Sequence, residues 1–143
     1  MHEPIIPGGW VTENAKLDIV TDSDVGYASL DAKLFAQQLG FSTVDQYMIS
    51  IAVSELSRNI LNHAGRGFLY LKSVQEGEKT GVEIIAKDNG GGIRDLEKAL
   101  SDNYSTGGTM GVGLPGTKRL MDSFHIETEL GVGTAVTVRK WLK

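Results

Sequence analysis

The stretch QYMISIAVSELSRNILNHAG, residues 46–65, decides how the rest of the chain is interpreted. Its apolar residues recur at steps of three and four, which predicts a helix that buries one face. These residues are Ile49, Ala52, Val53, Leu56 and Ile60. Glu55, Asn59 and His63 form a second series at four-residue spacing, so on a helix they stack beside the buried face. The predicted helix therefore carries a carboxylate, an amide and an imidazole along one stripe.

This polar stripe has two interpretations. It could hold a hydrated cation and take up a proton, and Mg²⁺ in particular keeps several waters and uses few protein ligands. Alternatively, it is a solvated flank whose polar residues merely face water, as in any amphipathic helix. The helix alone leaves both interpretations open, and two glycine clusters farther along the chain favour the first.

Composition limits the class of protein. The 143 residues suit one domain of common size. Fourteen basic against eighteen acidic residues, with no basic run, argue against nucleic acid as a partner. No apolar run approaches the roughly 20 residues that cross a bilayer, and the start, MHEPIIPGG, lacks the regions of a signal peptide. We therefore expect a cytoplasmic protein with no membrane partner. The absence of cysteine excludes disulfides, thiol nucleophiles and cysteine-ligated zinc.

Turn and periodicity signals predict an irregular arm over residues 1–15 and a single domain over residues 16–143. The arm holds a Gly-Gly pair and two of the three prolines. Helices are predicted over residues 25–39, over the central stretch between Ser42 and Gly65, over 96–100 and over 114–124. Strands are predicted over residues 17–20, in a hairpin of 68–74 with 82–87, and in a second hairpin around Gly131 to Gly133. The expected fold is α+β, a two-layer sandwich of a mixed, mostly antiparallel sheet with helices on one face.

The sequence DNGGGI, residues 88–93, follows a predicted strand. Successive glycines let a flat ligand approach the backbone closely. The carboxylate of Asp88 can accept a hydrogen bond from an exocyclic amine such as that of adenine. The alternative is a glycine turn capped by aspartate, and this sequence alone does not separate the two.

The second glycine cluster, GGTMGVGLPG, residues 107–116, precedes a predicted helix. Gly111, Gly113 and Gly116 match the dinucleotide pattern, but no strand precedes them, so we reject that motif. The run from Gly111 to Lys118 ends Gly-Thr-Lys where a P-loop has Gly-Lys-Thr or Gly-Lys-Ser, so we reject that motif too. What remains is a glycine-rich helix start whose free N–H groups and dipole favour an anion such as a phosphate chain. The polar residues 101–110 before it are predicted to form a lid, the alternative being a flexible connection between helices.

Taken in order, these motifs resemble the GHKL ATPase and kinase superfamily. They are a Glu-x-x-x-Asn helix, Asp-x-Gly-x-Gly after a strand, a lid ending in Gly-x-Gly, and Gly-x-Gly-Thr between the last two strands. The stretches SELSRNI, STGGTMGVGLPGTKRLMD and KWLK are similar to the serine/threonine kinases of bacterial stress-response switches, which are related to anti-sigma factor kinases. The resemblance implies a Bergerat-type ATP-binding fold, with ATP and Mg²⁺ as cofactors.

The resemblance also implies roles for individual residues. Glu55 would be the base that receives the proton of the attacking hydroxyl, and Asn59 would bind the Mg²⁺ that bridges the phosphates. Asp88 would hold the adenine amine. The remaining implied nucleotide contacts are Gly90, Gly92, Ile93 and Thr134 near adenine, and Gly107, Gly108, Gly111, Val112, Gly113 and Leu114 near the phosphates. For His63 packing is the expected use.

The implied activity is phosphoryl transfer from ATP to a serine or threonine of a separate protein. Other members of the superfamily need further domains, for which we expect no room in 143 residues. We therefore expect STAS-domain proteins as substrates in a partner-switching pathway, with a phosphatase or sigma-pathway regulator as a second partner. The alternative is a nucleotide-dependent docking module, or anti-sigma factor, with little transfer activity.

Overall fold

A computed structural model describes residues 14–94, 96, 100 and 113–143. Within these residues it contains five strands and three helices, whose bounds are β1 (Ala15–Ile19), α1 (Asp22–Leu39), α2 (Thr43–Ala64), β2 (Gly67–Glu76), β3 (Lys79–Asp88), α3 (Gly113–Leu120), β4 (Ser123–Glu129) and β5 (Gly133–Trp141). The predicted lid, most of the predicted helix at 96–100 and all but the end of the predicted arm lie outside the described residues.

The five strands form one sheet in the order β1-β2-β3-β5-β4, and each of these neighbouring pairs is antiparallel. Alternate residues of the central strands, such as Leu71, Ile84 and Val138, are fully buried against the helices. The intervening residues point to the opposite face, which the helices leave uncovered. Both predicted hairpins and the α+β sandwich with helices on one face are confirmed.

Helix α2 occupies the middle of the helical layer. All five apolar residues that predicted its buried face are buried, with exposures of 0–2%. Ser42 caps its start, where the hydroxyl accepts a hydrogen bond from the Asp45 amide at 3.2 Å. Gly65 ends it in a left-handed conformation with φ 80°. Although α2 has 22 residues, no helix in the described ranges is long and apolar enough to span a membrane.

Helix α3 ends at Leu120, four residues before the predicted end at Phe124, so this prediction was wrong. Ser123 and the residues after it pair with β5, and Phe124 lies opposite Val138 in that ladder. The side chain of Phe124 packs against the core from a strand instead of from a helix. A single apolar residue such as Phe124 fits both the helical and the strand periodicity. Pairing with β5 determined that it lies in a strand.

Helix α1 begins at Asp22, three residues before the predicted start at Val25. The reason is the carboxylate of Asp24. Its Oδ2 accepts hydrogen bonds from the amides of Val20 at 2.9 Å and Thr21 at 3.0 Å. These bonds satisfy amides at the helix start that have no partner within the helix.

The start of α1 should depend on pH. The hydrogen bond from Val20, followed by that from Thr21, lowers the pKa of the Asp24 carboxyl. A lowered folded pKa stabilises the fold above the unfolded pKa of about 4, and this contribution is lost as the pH falls through the folded pKa. Asp24→Asn should therefore lower the thermal midpoint at pH 7, and the difference from wild type should vanish near pH 2. Thermal unfolding across this range measures it.

Asp22→Asn is the matched control, since it removes the same charge from the same helical turn. Its midpoint should fall less than that of Asp24→Asn at pH 7. A deficit of Asp24→Asn that persisted unchanged at pH 2 would mean that the carboxylate charge is not the cause.

Candidate functional site

Asp88 ends β3 between two neighbouring strands. Gly67 of β2 lies opposite it on one side and Thr134 of β5 on the other. The side chains of Asp88 and Thr134 are both 5% exposed, and both point to the helix side of the sheet. Asp88 Oδ1 accepts a hydrogen bond from the Gly90 amide at 2.9 Å. The structure thus brings together the carboxylate and the hydroxyl that the sequence analysis assigned to the adenine end.

The glycines of the DNGGGI loop meet other parts of the chain. A Cβ atom on Gly90 would lie 2.5 Å from the Ala64 side chain and 2.7 Å from the His63 carbonyl. Gly92 has φ 79°, and a Cβ there would lie 2.6 Å from the Glu129 carbonyl. Both positions therefore require glycine for packing of the protein against itself. Close approach of adenine at Gly90 and Gly92 stays a prediction.

Thr128 is a site residue that the sequence analysis missed. Its hydroxyl accepts a hydrogen bond from the Ile93 amide at 2.8 Å and lies 2.9 Å from the Thr134 hydroxyl. Thr128 thereby fixes the end of the DNGGGI loop and orients Thr134 beside Asp88. The register of the second hairpin, which pairs Thr128 with Thr134, is the signal that could have found it.

The polar stripe of α2 runs toward this loop. Glu55 is 9% exposed, and its Oε1 accepts a hydrogen bond from Arg58 Nη1 at 3.4 Å. Asn59 and His63 are half-buried farther along the helix. The His63 carbonyl and Ala64 form the surface on which Gly90 packs. The last turn of the stripe therefore touches the loop that follows Asp88. Sequence reasoning missed Arg58, although an acid and a base three residues apart on a helix are neighbours.

Helix α3 packs against α2. Gly113 begins it with φ 64°, and its carbonyl accepts a hydrogen bond from the Thr117 hydroxyl at 2.9 Å. Leu114 is buried. Free amides and the dipole at this end favour an anion. Of the predicted phosphate contacts, Gly107, Gly108, Gly111 and Val112 lie outside the described residues, so only Gly113 and Leu114 are placed.

The other end of α3 is fastened to β5. Lys140, 4% exposed, donates a hydrogen bond from Nζ to the Leu120 carbonyl at 2.7 Å. The Asp122 carboxylate accepts a hydrogen bond from the Trp141 amide at 2.8 Å, and the Asp122 amide donates one to the Arg139 carbonyl at 2.9 Å. The last carbonyls of a helix have no partner within it, and a cation there complements the dipole. Lys140 therefore attaches the end of α3 to β5.

A cavity of about 400 Å³ lies at the same end of the sheet. Asp88 and Thr134 contribute to its lining, and so do Lys87, Glu127 and Ala135. Lys87 and Ala135 each adjoin Asp88 or Thr134 along the strand, and Glu127 lies opposite Ala135, so these three side chains point away from the helices. The cavity therefore lies mainly on the uncovered face, whereas the predicted adenine contacts lie on the helix side.

The described residues fit a magnesium ion bound mainly through phosphate. Within residues 14–94, 96, 100 and 113–143, no three His, Asp or Glu side chains are grouped to hold a metal. Mg²⁺ does not need such a group, because it commonly uses one or two protein oxygens together with water and phosphate. The amide of Asn59, one turn after Glu55, suits a single-ligand role of this kind. That assignment stays a prediction.

Comparison with protein families gives one match over most of the chain. The model of the histidine kinase-like ATPase domain matches residues 21–140. The chain is similar to the serine/threonine-protein kinase RsbT of Bacillus subtilis (strain 168), with 45% identity over 125 residues. These residues are 87% of this chain and 94% of RsbT. An anti-sigma F factor of Thermoanaerobacter sp. (strain X514) is 32% identical over 114 residues, 76% of this chain and 78% of that protein.

Solved structures share the fold at low sequence identity. The crystal structure of the RsbU and RsbW domains of a Mycobacterium tuberculosis protein matches with a TM-score of 0.60 and 15% identity. The match covers 90% of this chain and 32% of that one. The mycobacterial sensor histidine kinase MprB matches with a TM-score of 0.53 and 16% identity, over 92% of this chain and 97% of that one.

The hydrogen bond that attaches the end of α3 to β5 can be tested with Lys140→Met. Methionine keeps much of the aliphatic stem but cannot donate to the Leu120 carbonyl, which would be left without its partner. We expect the free energy of unfolding to fall by about 1–3 kcal/mol. Amides of α3 should also exchange faster. Urea unfolding and hydrogen exchange measure the two effects.

Lys118→Met is the control, because Lys118 is an exposed cation in the last turn of the same helix. It should change the free energy of unfolding by no more than about 0.5 kcal/mol. Equal losses in the two variants would show that the charge near the helix end matters and that the buried hydrogen bond does not.

Proposed function

The chain belongs to the histidine kinase-like ATPase domain family, and on that premise we propose that it is a protein serine/threonine kinase that uses ATP. The observation that carries the proposal is the contact of Gly90 with the last turn of α2. It joins the Asp88 loop to the helix that carries Glu55 and Asn59. The similarity to RsbT, which is named a serine/threonine-protein kinase and is matched over 94% of its length, supports the same activity.

Each residue of the site has a part in binding. The Asp88 carboxylate accepts a hydrogen bond from the adenine amine, and Thr134, oriented by Thr128, supports that end. The amides at the start of α3 receive the phosphates. Asn59 supplies the protein ligand for Mg²⁺, which neutralises charge on the phosphates when bound.

Glu55 handles the proton in the transfer step. The hydroxyl of the acceptor gives its proton to the Glu55 carboxylate while its oxygen bonds to the γ-phosphorus and the bond to ADP breaks. Arg58 Nη1 donates a hydrogen bond to Glu55 Oε1 at 3.4 Å, which orients the carboxylate. The products are a phosphorylated side chain and ADP.

The proposed substrates are STAS-domain proteins of a cytoplasmic partner-switching pathway. A phosphate newly placed on the acceptor carries about −1.5 to −2 of charge beside Glu55. Repulsion between the two should loosen the complex. The released kinase is then free for a second partner, such as a phosphatase.

A second candidate is a nucleotide-dependent docking module that acts as an anti-sigma factor. The observation that favours it is the 32% identity to an anti-sigma F factor. Glu55 discriminates between the candidates, because a module that only docks has no need of a base in the nucleotide site.

ATP binding can be tested with Asp88→Asn. The amide can turn a donor toward the adenine amine, which should weaken ATP binding by about 1–3 kcal/mol. Calorimetry with ATP and Mg²⁺ measures the loss. Asp18→Asn, the same change at an exposed carboxylate of β1, should leave the affinity unchanged. Unchanged affinity in a folded Asp88→Asn protein would remove the adenine assignment.

Transfer can be tested with Glu55→Gln. The amide keeps an oxygen for Arg58 but cannot take the proton, so transfer should fall by roughly 10²–10⁴-fold while ATP affinity stays close to wild type. The assay follows radiolabelled phosphate from ATP to purified STAS-domain proteins of the same genome. Near-normal labelling by Glu55→Gln would refute its role as the base, and absence of labelling by the wild type would favour the docking module.

A further inference from the structure

A groove between α1 and α2 lies beside the proposed base. Its volume is about 420 Å³, and its lining includes Asp22, Gly26 and Ser29 from α1 and Ser54, Arg58 and Asn62 from α2. Arg58 is 46% exposed in its side chain and also donates a hydrogen bond to Glu55. Glu55 does not itself line the groove, and Arg58 is the lining residue that connects the groove to the Glu55 carboxylate, by a hydrogen bond of 3.4 Å.

Gly26 is the unusual residue of this groove. It lies inside α1, where glycine is less favourable than any residue except proline. Its φ is not positive, and a Cβ there would meet no atom within 4 Å among the described residues. Gly90 behaves in the opposite way, since its Cβ position is filled by Ala64 and His63. The described fold thus gives no reason for glycine at position 26, whereas close approach of another molecule to the α1 backbone would require it.

The size and surroundings of the groove indicate the kind of occupant. A volume near 420 Å³ accommodates a few residues of extended chain. The Ser29 hydroxyl donates to the Ser50 carbonyl at 3.1 Å, so α1 and α2 are held together at this point. The two walls of the groove are therefore tied to each other.

We propose that this groove receives the segment of the acceptor protein that carries the reactive serine or threonine. Gly26 lets the backbone of that extended segment lie close to α1, and Arg58 keeps Glu55 at the end where the hydroxyl arrives. This inference rests on the proposed function, because it uses Glu55 as the base. It adds the path by which the acceptor reaches that base.

Substitution of Gly26 tests the groove. Gly26→Ala should raise the thermal midpoint by a few degrees, since alanine favours the helix and meets no neighbour. Gly26→Met should fill the groove and raise KM for the acceptor at least about tenfold, with ATP affinity within about twofold of wild type. The acceptor is the STAS-domain protein that the wild type labels. Gln38→Met, on an exposed part of α1 outside the groove, should leave both values unchanged.

Cross-linking tests the same site without relying on transfer. The chain has no cysteine, so Ser54→Cys can be labelled at one position with a benzophenone maleimide. Illumination with purified STAS-domain proteins and a non-hydrolysable ATP analogue should capture the acceptor. Gln38→Cys, labelled in the same way, should capture none.

The outcomes separate this inference from the proposed function. Labelling by the wild type with an unchanged acceptor KM in Gly26→Met would overturn the groove and leave the kinase intact. A fall in ATP affinity in Gly26→Met would also overturn it, because the groove would then belong to the nucleotide. Capture at Ser54→Cys without any transfer by the wild type would refute the kinase and overturn the arrival of a reactive hydroxyl at Glu55, leaving the groove as a docking surface only. Neither transfer nor capture would overturn both.

Discussion

The close packing of Gly90 on the last turn of α2 is the contact on which the site depends. At this position a side chain would collide with Ala64 and with the His63 carbonyl, so only glycine lets the loop after β3 reach the helix. The contact joins the sheet, which carries Asp88 and Thr134, to the helix, which carries Glu55 and Asn59. The two layers also pack together through the core, and this contact fixes where the loop after Asp88 meets α2. Because protein interiors are closely packed, a side chain at position 90 would displace the atoms around it.

Polar contacts hold other parts of the site in place. Thr128 ties the Ile93 amide and the Thr134 hydroxyl together on the sheet side. Lys140 ties the last turn of α3 to β5. These bonds lie around the site on described secondary structure. They attach the end of α3 and the Thr134 side chain to strands of the sheet, and positioning of a reacting group requires such rigid attachments.

The glycines of this chain serve different physical purposes, which the amino-acid sequence does not distinguish. Gly67, Gly90 and Gly133 each leave room for a neighbouring backbone or side chain of the same molecule. At Gly26 and Gly91 the space is open. Sequence reasoning treated the DNGGGI glycines alike, as room for a ligand. Only the positions of the surrounding atoms separate glycines needed for folding from those that an outside molecule could use.

The sequence by itself determined the elements whose signals are local. The apolar periodicity of α2, its cap at Ser42, its end at Gly65 and the two hairpins depend on residues close in the chain, and each was predicted correctly. The ordered motifs also identified the family. The tertiary structure decided where α3 ends, because Phe124 joined a strand whose partner lies beyond the turn. It also decided the hydrogen bond between Ile93 and Thr128 and the one between Lys140 and Leu120, whose partners are 35 and 20 residues apart. Hydrogen bonds across such distances depend on how layers meet, and no periodicity or turn signal within one segment contains that information.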